Sequence, residues 1–496
     1  MRHRHDTLLF TCAYPANRGA WDQANAELRQ LATETQKLAI TSRGATLQNS
    51  GMAGTPVVAA FSLVITRWLV ERFGDAVTLA SVEGDPEQVM ALLEPALDPM
   101  EREVLSEQPL RWPAWQVRHL GRGRAARLRH LLHLINRLPG EPAEQEASFA
   151  SMRVFVRWEV APDAPTLTTG RFARGEPWFH PGALRRRARP ADAWREGPGR
   201  RLRLTKGDRR ALVDLARGTL ASLLSETEPF SHASEAEVEL HDLGRGIQVA
   251  LYPCAAPGKL ALEAYVGYLL LKNHVPVAYG GGWVLGRQAR FGINVLPPFR
   301  GGESAVLLTQ LLRVYAHRFG LKCFVVEPFQ IGKGNADGIR SGAFWFYWRL
   351  GFRPQQPSLL AVARGEARRL RTPGTRTAPV LLRRLSESVM TWETPLTERW
   401  DPIDVDQVGA AVSRYILTEF DGDRTAAQAR AARTLGLRDR RLAVLLAAIS
   451  PKKGWPAAQL RRLDTIMARK DRAELRQAVA LRQHRGLMRA LAAAGG

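Results

Sequence analysis

Phe299-Arg300-Gly301-Gly302 stands between a strand-like run that ends in Pro297-Pro298 and a helical run that begins directly after it. Glycines there let backbone N–H groups come close to an anion. The start of the helix adds a dipole worth about half a charge, and Arg300 adds a fork of donors. The arrangement reads as a cradle for phosphate. Farther along, SGAFWFYWRLGF (residues 341–352) gathers aromatic side chains into one short helical stretch of a chain with only 8% aromatics. Most of those rings suit a core helix. Tyr347 is expected to face a ligand, with Phe344, Trp345, Phe346 and Trp348 excluding water around it and packing on a sheet. A phenol with an ordinary pKa of about 10 is protonated at neutral pH and has a proton to give. Glu327, at the end of the apolar run CFVVE, is a candidate base; the alternative is a cap on neighbouring backbone.

These groups need a scaffold, and the pattern from 204 to 365 supplies an α+β one with a mixed sheet and flanking helices. Residues 207–225 have helical periodicity. GIQVALYP (246–253), EAYVGYLLLKN (263–273), VPVAYGGGWVLG (275–286) and RFGINVLP (290–297) read as strands. The Lys272-Asn273-His274 break predicts one hairpin and the short connection after Gly286 a second. A helix over 303–319, the buried strand 323–327 and the aromatic helix complete the order, so one strand is reached through a helical crossover.

Gly280-Gly281-Gly282 inside a strand calls for a bulge or for close approach of a substrate. Tyr279 and Trp283 beside it either line a substrate pocket or pack in the core. The polar segment EPFQIGKGNADGIR (327–340) would shape that pocket at the open end of the sheet, with Gln330, Asn335, Asp337 and Ser341 as contacts.

The flanks are read more coarsely. Residues 1–160 form an α-rich domain that includes an apolar helix over 57–74, preceded by a turn-rich loop at 47–56 that either caps that helix or holds an anion. Residues 161–203 are an Arg/Pro/Gly-rich linker, 366–400 a second linker, and 401–496 a set of amphipathic helices. The net charge of +23 favours anionic partners. The excess is mostly arginine in an alanine-rich chain, which GC-rich codons would also produce, so nucleic acid ranks below a phosphorylated cofactor. Three dispersed cysteines and scattered histidines argue against zinc or a disulfide framework and fit a reducing cytoplasm. No metal is expected, and no run approaches the roughly 18 apolar residues of a membrane span.

Over about 205–360 the chain resembles the GNAT family of acyl-CoA-dependent N-acyltransferases. The resemblance rests on Phe299-Arg300-Gly301-Gly302 leading into Ala305-Val306-Leu307-Leu308, and on Phe346-Tyr347-Trp348-Arg349-Leu350-Gly351-Phe352. It implies an acyl-CoA co-substrate, no metal, and an amine acceptor that is a small molecule or a peptide. Arg300, Gly301, Gly302, Ser304 and Ala305 would hold the pyrophosphate of acetyl-CoA. Asn294, Val295 and Leu296 would pair with the pantetheine arm, and Tyr347 would protonate the departing thiolate.

Two features depart from the family pattern. Glu303 stands where glycine is usual. A carboxylate ~4 Å from a phosphate costs about 4 kcal/mol at an effective dielectric of ~20, so it must point outward along the first helical turn, or the loop binds something else. The 327–340 segment replaces a short connection. A FemABX-like aminoacyltransferase using aminoacyl-tRNA, and a non-catalytic ligand-binding module, are the competing expectations.

Overall fold

The computed structural model describes residues 1–39, 41, 46–107, 112–255, 260, 262–396, 401–451, 454–470 and 473–494. Two helices open the chain, α1 (Arg2–Ala13) and α2 (Arg18–Ala39). Strands β1 (Pro56–Ala59), β2 (Val77–Val82) and β3 (Val154–Glu159) then form a small antiparallel sheet in the order β1-β3-β2. The apolar stretch 57–74 is therefore not one helix. Its β-branched start pairs with β3, and the helix begins at Leu63, where the Ser62 hydroxyl accepts the Ile65 N–H. The 47–56 loop closes on itself rather than on an anion: Ser50 and Thr55 bond each other and the Gly54 N–H donates to Val160 O at 2.8 Å.

The large sheet has ten strands among the described residues. In chain order they are β4 (Arg200–Leu202), β5 (Glu239–Asp242), β6 (Ile247–Pro253), β7 (Ala264–Lys272), β8 (Val275–Leu285), β9 (Gln288–Phe291), β10 (Asn294–Val295), β11 (Cys323–Val326), β12 (Arg353–Pro354) and β13 (Met390–Glu393). Their spatial order is β12-β13-β11-β9-β8-β7-β6-β5-β4, with β10 also paired to β8. Asn273 and His274, both at positive φ, make the tight turn between β7 and β8, and Gly286 at φ 59° turns β8 into β9. Only β9 and β11 run parallel, joined by the crossover helix.

The helices around this sheet are α3 (Lys206–Ser222), α4 (Ser304–Phe319), α5 (Ala336–Ser341), α6 (Ala343–Arg349), α7 (Pro357–Arg369) and α8 (Pro379–Leu385). Alternation along the central strands assigns the faces. Val249, Leu251, Val266, Tyr268 and Leu270 join the core shared with α4, while Ala250, Tyr252, Leu269 and Leu271 pack with Leu212, Val213 and Leu220 of α3. The fold is mixed α/β.

Three segments divided by composition make contacts beyond their bounds. Leu9, Cys12, Ala13 and Leu28 of α1 and α2 belong to the central core, while the chain from Ala32 to Val160 gathers a core of its own around Trp112, Leu131 and Trp158. The 161–203 segment is not a free linker: Leu167 and Phe172 are buried and β4 forms a sheet edge. The 366–400 segment contains β13, which lies between β12 and β11. Arg-rich composition hid these contacts, because the buried positions are sparse and the charged ones face solvent. The helices after 401 gather their own core around Leu442, Leu446 and Leu463.

The three glycines of β8 are explained by neither a bulge nor a substrate. A Cβ at Gly280 would lie 2.3 Å from the Tyr268 hydroxyl, one at Gly281 2.5 Å from the Tyr265 ring and one at Gly282 2.8 Å from the Tyr315 ring. Trp283 stacks flat on Tyr265 with centroids 4.0 Å apart, so it packs on the strand and does not line a pocket with Tyr279. Gly281→Ala should cost about 1–3 kcal/mol by displacing that stack. A urea midpoint shift read together with the near-ultraviolet circular dichroism of the ring pair checks it; an unchanged midpoint refutes the packing explanation.

Candidate functional site

The site forms where two strands part. β9 and β11 pair only as far as Arg290 and Val325, and β10 continues along β8 while β11 does not follow. The gap opens into a cleft of ≈ 470 Å³. One wall is Ile293, Asn294, Val295, Leu296 and Pro297, ending at Arg300 and Ser304. The facing wall is Gln330, Asn335, Asp337, Gly338 and Ser341. Tyr279, Phe346 and Tyr347 close the inner end.

Backbone direction separates the three residues expected to meet a pantetheine arm. The Leu296 N–H donates to Val277 O at 3.0 Å, and in an antiparallel ladder Asn294, two residues away, also turns its groups to β8. Val295 points the other way, and its carbonyl accepts Arg300 Nε at 3.3 Å. By the same alternation Ile293 presents its backbone to the cleft. Sequence reading missed Ile293, although strand parity counted from Leu296 would have singled it out.

Tyr347 is 2% exposed but borders the cleft, with its hydroxyl against the Ile293 backbone N–H. Burial pushes the phenol well above its usual value, and the Ile293 amide opposes the shift. The group is a firmly held proton. The other rings of α6 are mostly core: Phe344 is fully buried against Trp345 and Trp348. In the facing wall Gln330 covers Gly292, where a Cβ would meet its amide at 2.7 Å. Asn335 lines the cleft while capping α5, accepting the Gly338 N–H and donating to Phe329 O, both at 3.0 Å. The Ser341 hydroxyl donates to Gly338 O at 3.3 Å.

The loop before α4 divides its duties. No side chain caps α4, so its first N–H groups are open beside Arg300 and Ser304. Gly301 is exposed and faces open space. Gly302 has a different reason to be glycine, because a Cβ there would lie 2.6 Å from the Tyr14 hydroxyl. Ala305 is half-buried against the core, and neither it nor the two glycines borders the cleft.

Glu303 corrects the expectation of an outward carboxylate. It is fully buried and faces away from the cleft, 3.1 Å from Arg245 and 3.5 Å from Lys272, and accepts the Arg185 N–H at 2.9 Å. Its own N–H donates to Tyr14 at 3.3 Å. Lys272 is held down to about 8, chiefly by burial, with Arg245 adding repulsion and Glu303 opposing both. The carboxylate that looked hostile to a phosphate is occupied by two cations.

Glu327 does not meet Tyr347 in the cleft. It ends β11 with no capping bond from its side chain and borders a second cavity of ≈ 800 Å³, which also meets Arg290, Glu393, Asp401, Asp404 and Asp406. β9, β11 and β13 turn their alternate residues Arg290, Val325 and Thr391 to this cavity, while Phe291, Phe324 and Met390 face the α4 core. Tyr347 belongs to the core shared with α4, so it and Glu327 are turned to different faces, while the cleft reaches both: Tyr279, which pairs with Leu269, and Leu223 just past α3 line it from the α3 side.

No family model, curated protein or solved structure matches the chain. Among the described residues the three cysteines are buried, no His/Cys/Asp/Glu group could hold a metal ion, and no helix is long and apolar enough to cross a membrane.

Proposed function

We propose that the protein transfers an acyl group, most simply acetyl, from coenzyme A to an amine, as its resemblance to the GNAT family implies. The observation that carries this reading is the meeting of three features in one cleft: the uncapped start of α4 with Arg300, the backbone of Ile293 and Val295, and Tyr347. The pyrophosphate would lie at Arg300 and Ser304, where N–H groups and the helix dipole favour negative charge. The pantetheine amides would pair with Val295, leaving the thioester carbonyl near the Ile293 N–H.

The chemistry balances with groups of this chain. The neutral amine attacks the thioester carbon, and the oxyanion that forms draws the Ile293 N–H from the Tyr347 hydroxyl, which frees that hydroxyl to turn to sulfur. Collapse breaks the carbon–sulfur bond as the Tyr347 hydroxyl gives its proton to sulfur. The amine's surplus proton passes to Glu327 or to water, and the phenolate recovers a proton from solvent. Glu327 borders the second cavity, so the acceptor would approach from that cavity rather than along the donor's cleft. The carboxylates lining that cavity suit an acceptor that arrives as a protonated amine and gives its first proton to solvent before it attacks.

Incubating the full chain with acetyl-CoA and pools of amines, then scanning for products heavier by one acetyl group, tests the proposal. A new acetylated amine together with free thiol supports it; thiol release without any acylated product overturns the transfer step.

A further inference from the structure

Much of the positive charge concentrates in the segment beside the cleft. Between residues 338 and 386 the chain carries ten arginines, no lysine and a single acid, Glu366. That acid is spent on Arg369, at 2.6 and 2.8 Å. Arg340 is matched by Asp337, and Arg353 lies over the Trp348 ring at 4.0 Å. Arg349, Arg364, Arg368, Arg371, Arg383 and Arg384 are exposed and have no carboxylate partner among the described residues. Arg364 stands close enough to Arg353 to repel it. Elsewhere arginines meet acids across the fold, as Arg129 meets Asp75, Arg137 meets Asp98 and Arg318 meets Glu239.

This surface is continuous with the cleft. α5, whose residues form one cleft wall, packs on α8, and α8 packs on α7. α6, which carries Tyr347 into the cleft, also donates from Trp345 Nε1 to Thr377 Oγ1 at 3.0 Å, tying it to the loop that bears Arg371. Phe329, 58% exposed, is next in the chain to Gln330 of the cleft wall, and its carbonyl accepts Asn335 Nδ2 of the same wall.

We propose that the α7–α8 arginine surface docks a single-stranded RNA whose end reaches into the cleft. Unpaired guanidinium forks match phosphate bidentately, and arginine also stacks on bases, which lysine does not. An exposed ring next to the cleft wall offers a stacking platform for an unpaired base. A cleft of ≈ 470 Å³ admits a strand and excludes a duplex, and single-stranded ends are the form in which proteins read RNA. An anionic membrane fits less well, because Phe329 and Val380 are isolated rather than part of an apolar face that could insert. The docking holds whether or not the cleft transfers acyl groups.

Fluorescence anisotropy of the full chain with a labelled single-stranded RNA of about 12 nucleotides tests this directly. If about six phosphates are neutralised, affinity should fall roughly 300-fold between ~50 and ~200 mM salt. The variant R364E/R368E/R383E/R384E should lose most of the binding and flatten the salt slope by about 3. The equally charged change R430E/R433E/R461E/R462E, on exposed C-terminal arginines, should leave affinity within about threefold. Should the first variant fail to fold, ultraviolet cross-links from RNA to the wild-type chain are expected at Phe329 and within 364–384. Equal loss in both variants, cross-links elsewhere, or tighter binding to duplex or to anionic vesicles would overturn the inference.

Discussion

Tyr347→Phe is expected to lower turnover of acetyl transfer by about 10²- to 10³-fold while leaving KM for acetyl-CoA near its original value. The substitution removes one hydroxyl and leaves a ring that packs edge-on to Phe346 and Phe352. The lost contact is a hydrogen bond with a backbone N–H, worth about 1 kcal/mol, so the fold should persist. Because burial holds the phenol above its ordinary value, Tyr347 should cause no alkaline fall in turnover below about pH 10. Steady-state kinetics of the variant decide the matter, and an unchanged turnover removes Tyr347 from the chemistry.

Glu303→Ala should destabilise the chain by about 3–5 kcal/mol, because it strands Lys272, fully buried, beside Arg245 without the carboxylate that offsets them both. Lys272 would keep only its bond to the Arg245 carbonyl, at 2.7 Å, and its contacts with the Tyr14 and Trp178 rings. The effect should spread to the N-terminus, since Tyr14 meets the same loop at Gly302 and Glu303. Urea denaturation measures the loss. The double variant E303Q/K272M should recover most of it, because apolar or neutral groups of similar volume remove the stranded charge. A single variant within about 0.5 kcal/mol of wild type would show that the ion cluster is not what fixes the loop.

How far the sequence could be read follows from the range of the interactions involved. The hairpin at Asn273-His274, the crossover helix and the strands between 246 and 286 rest on local signals, alternation and turn chemistry, and the structure has them where those signals fall. The single strand expected over 290–297 divides instead into β9 and β10, because the chain leaves β11 after Arg290 and stays with β8. The gathering of Arg300, Val295, Gln330 and Tyr347 at one cleft was legible because strand ends and helix starts share one edge of such a sheet. Three things were not legible. Gly302 and the β8 glycines answer to tyrosine rings distant in sequence, and no single-chain pattern reports which ring will come. Glu303 was judged by its neighbours in the loop, whereas its partners Lys272, Arg245 and Arg185 arrive from other elements. Glu327 and Tyr347 are close in sequence but turned apart, Glu327 just past β11 toward the second cavity and Tyr347 into the core shared with α4.

Calorimetric titration of the full chain with acetyl-CoA tests the central claim most directly, with Arg300→Glu as its companion. One saturable site is expected in the wild type, weakened at least tenfold by Arg300→Glu, where a carboxylate replaces the fork beside the open helix start, and untouched by Glu327→Gln in the second cavity. No heat at millimolar ligand, or equal binding in the Arg300→Glu variant, would contradict the account.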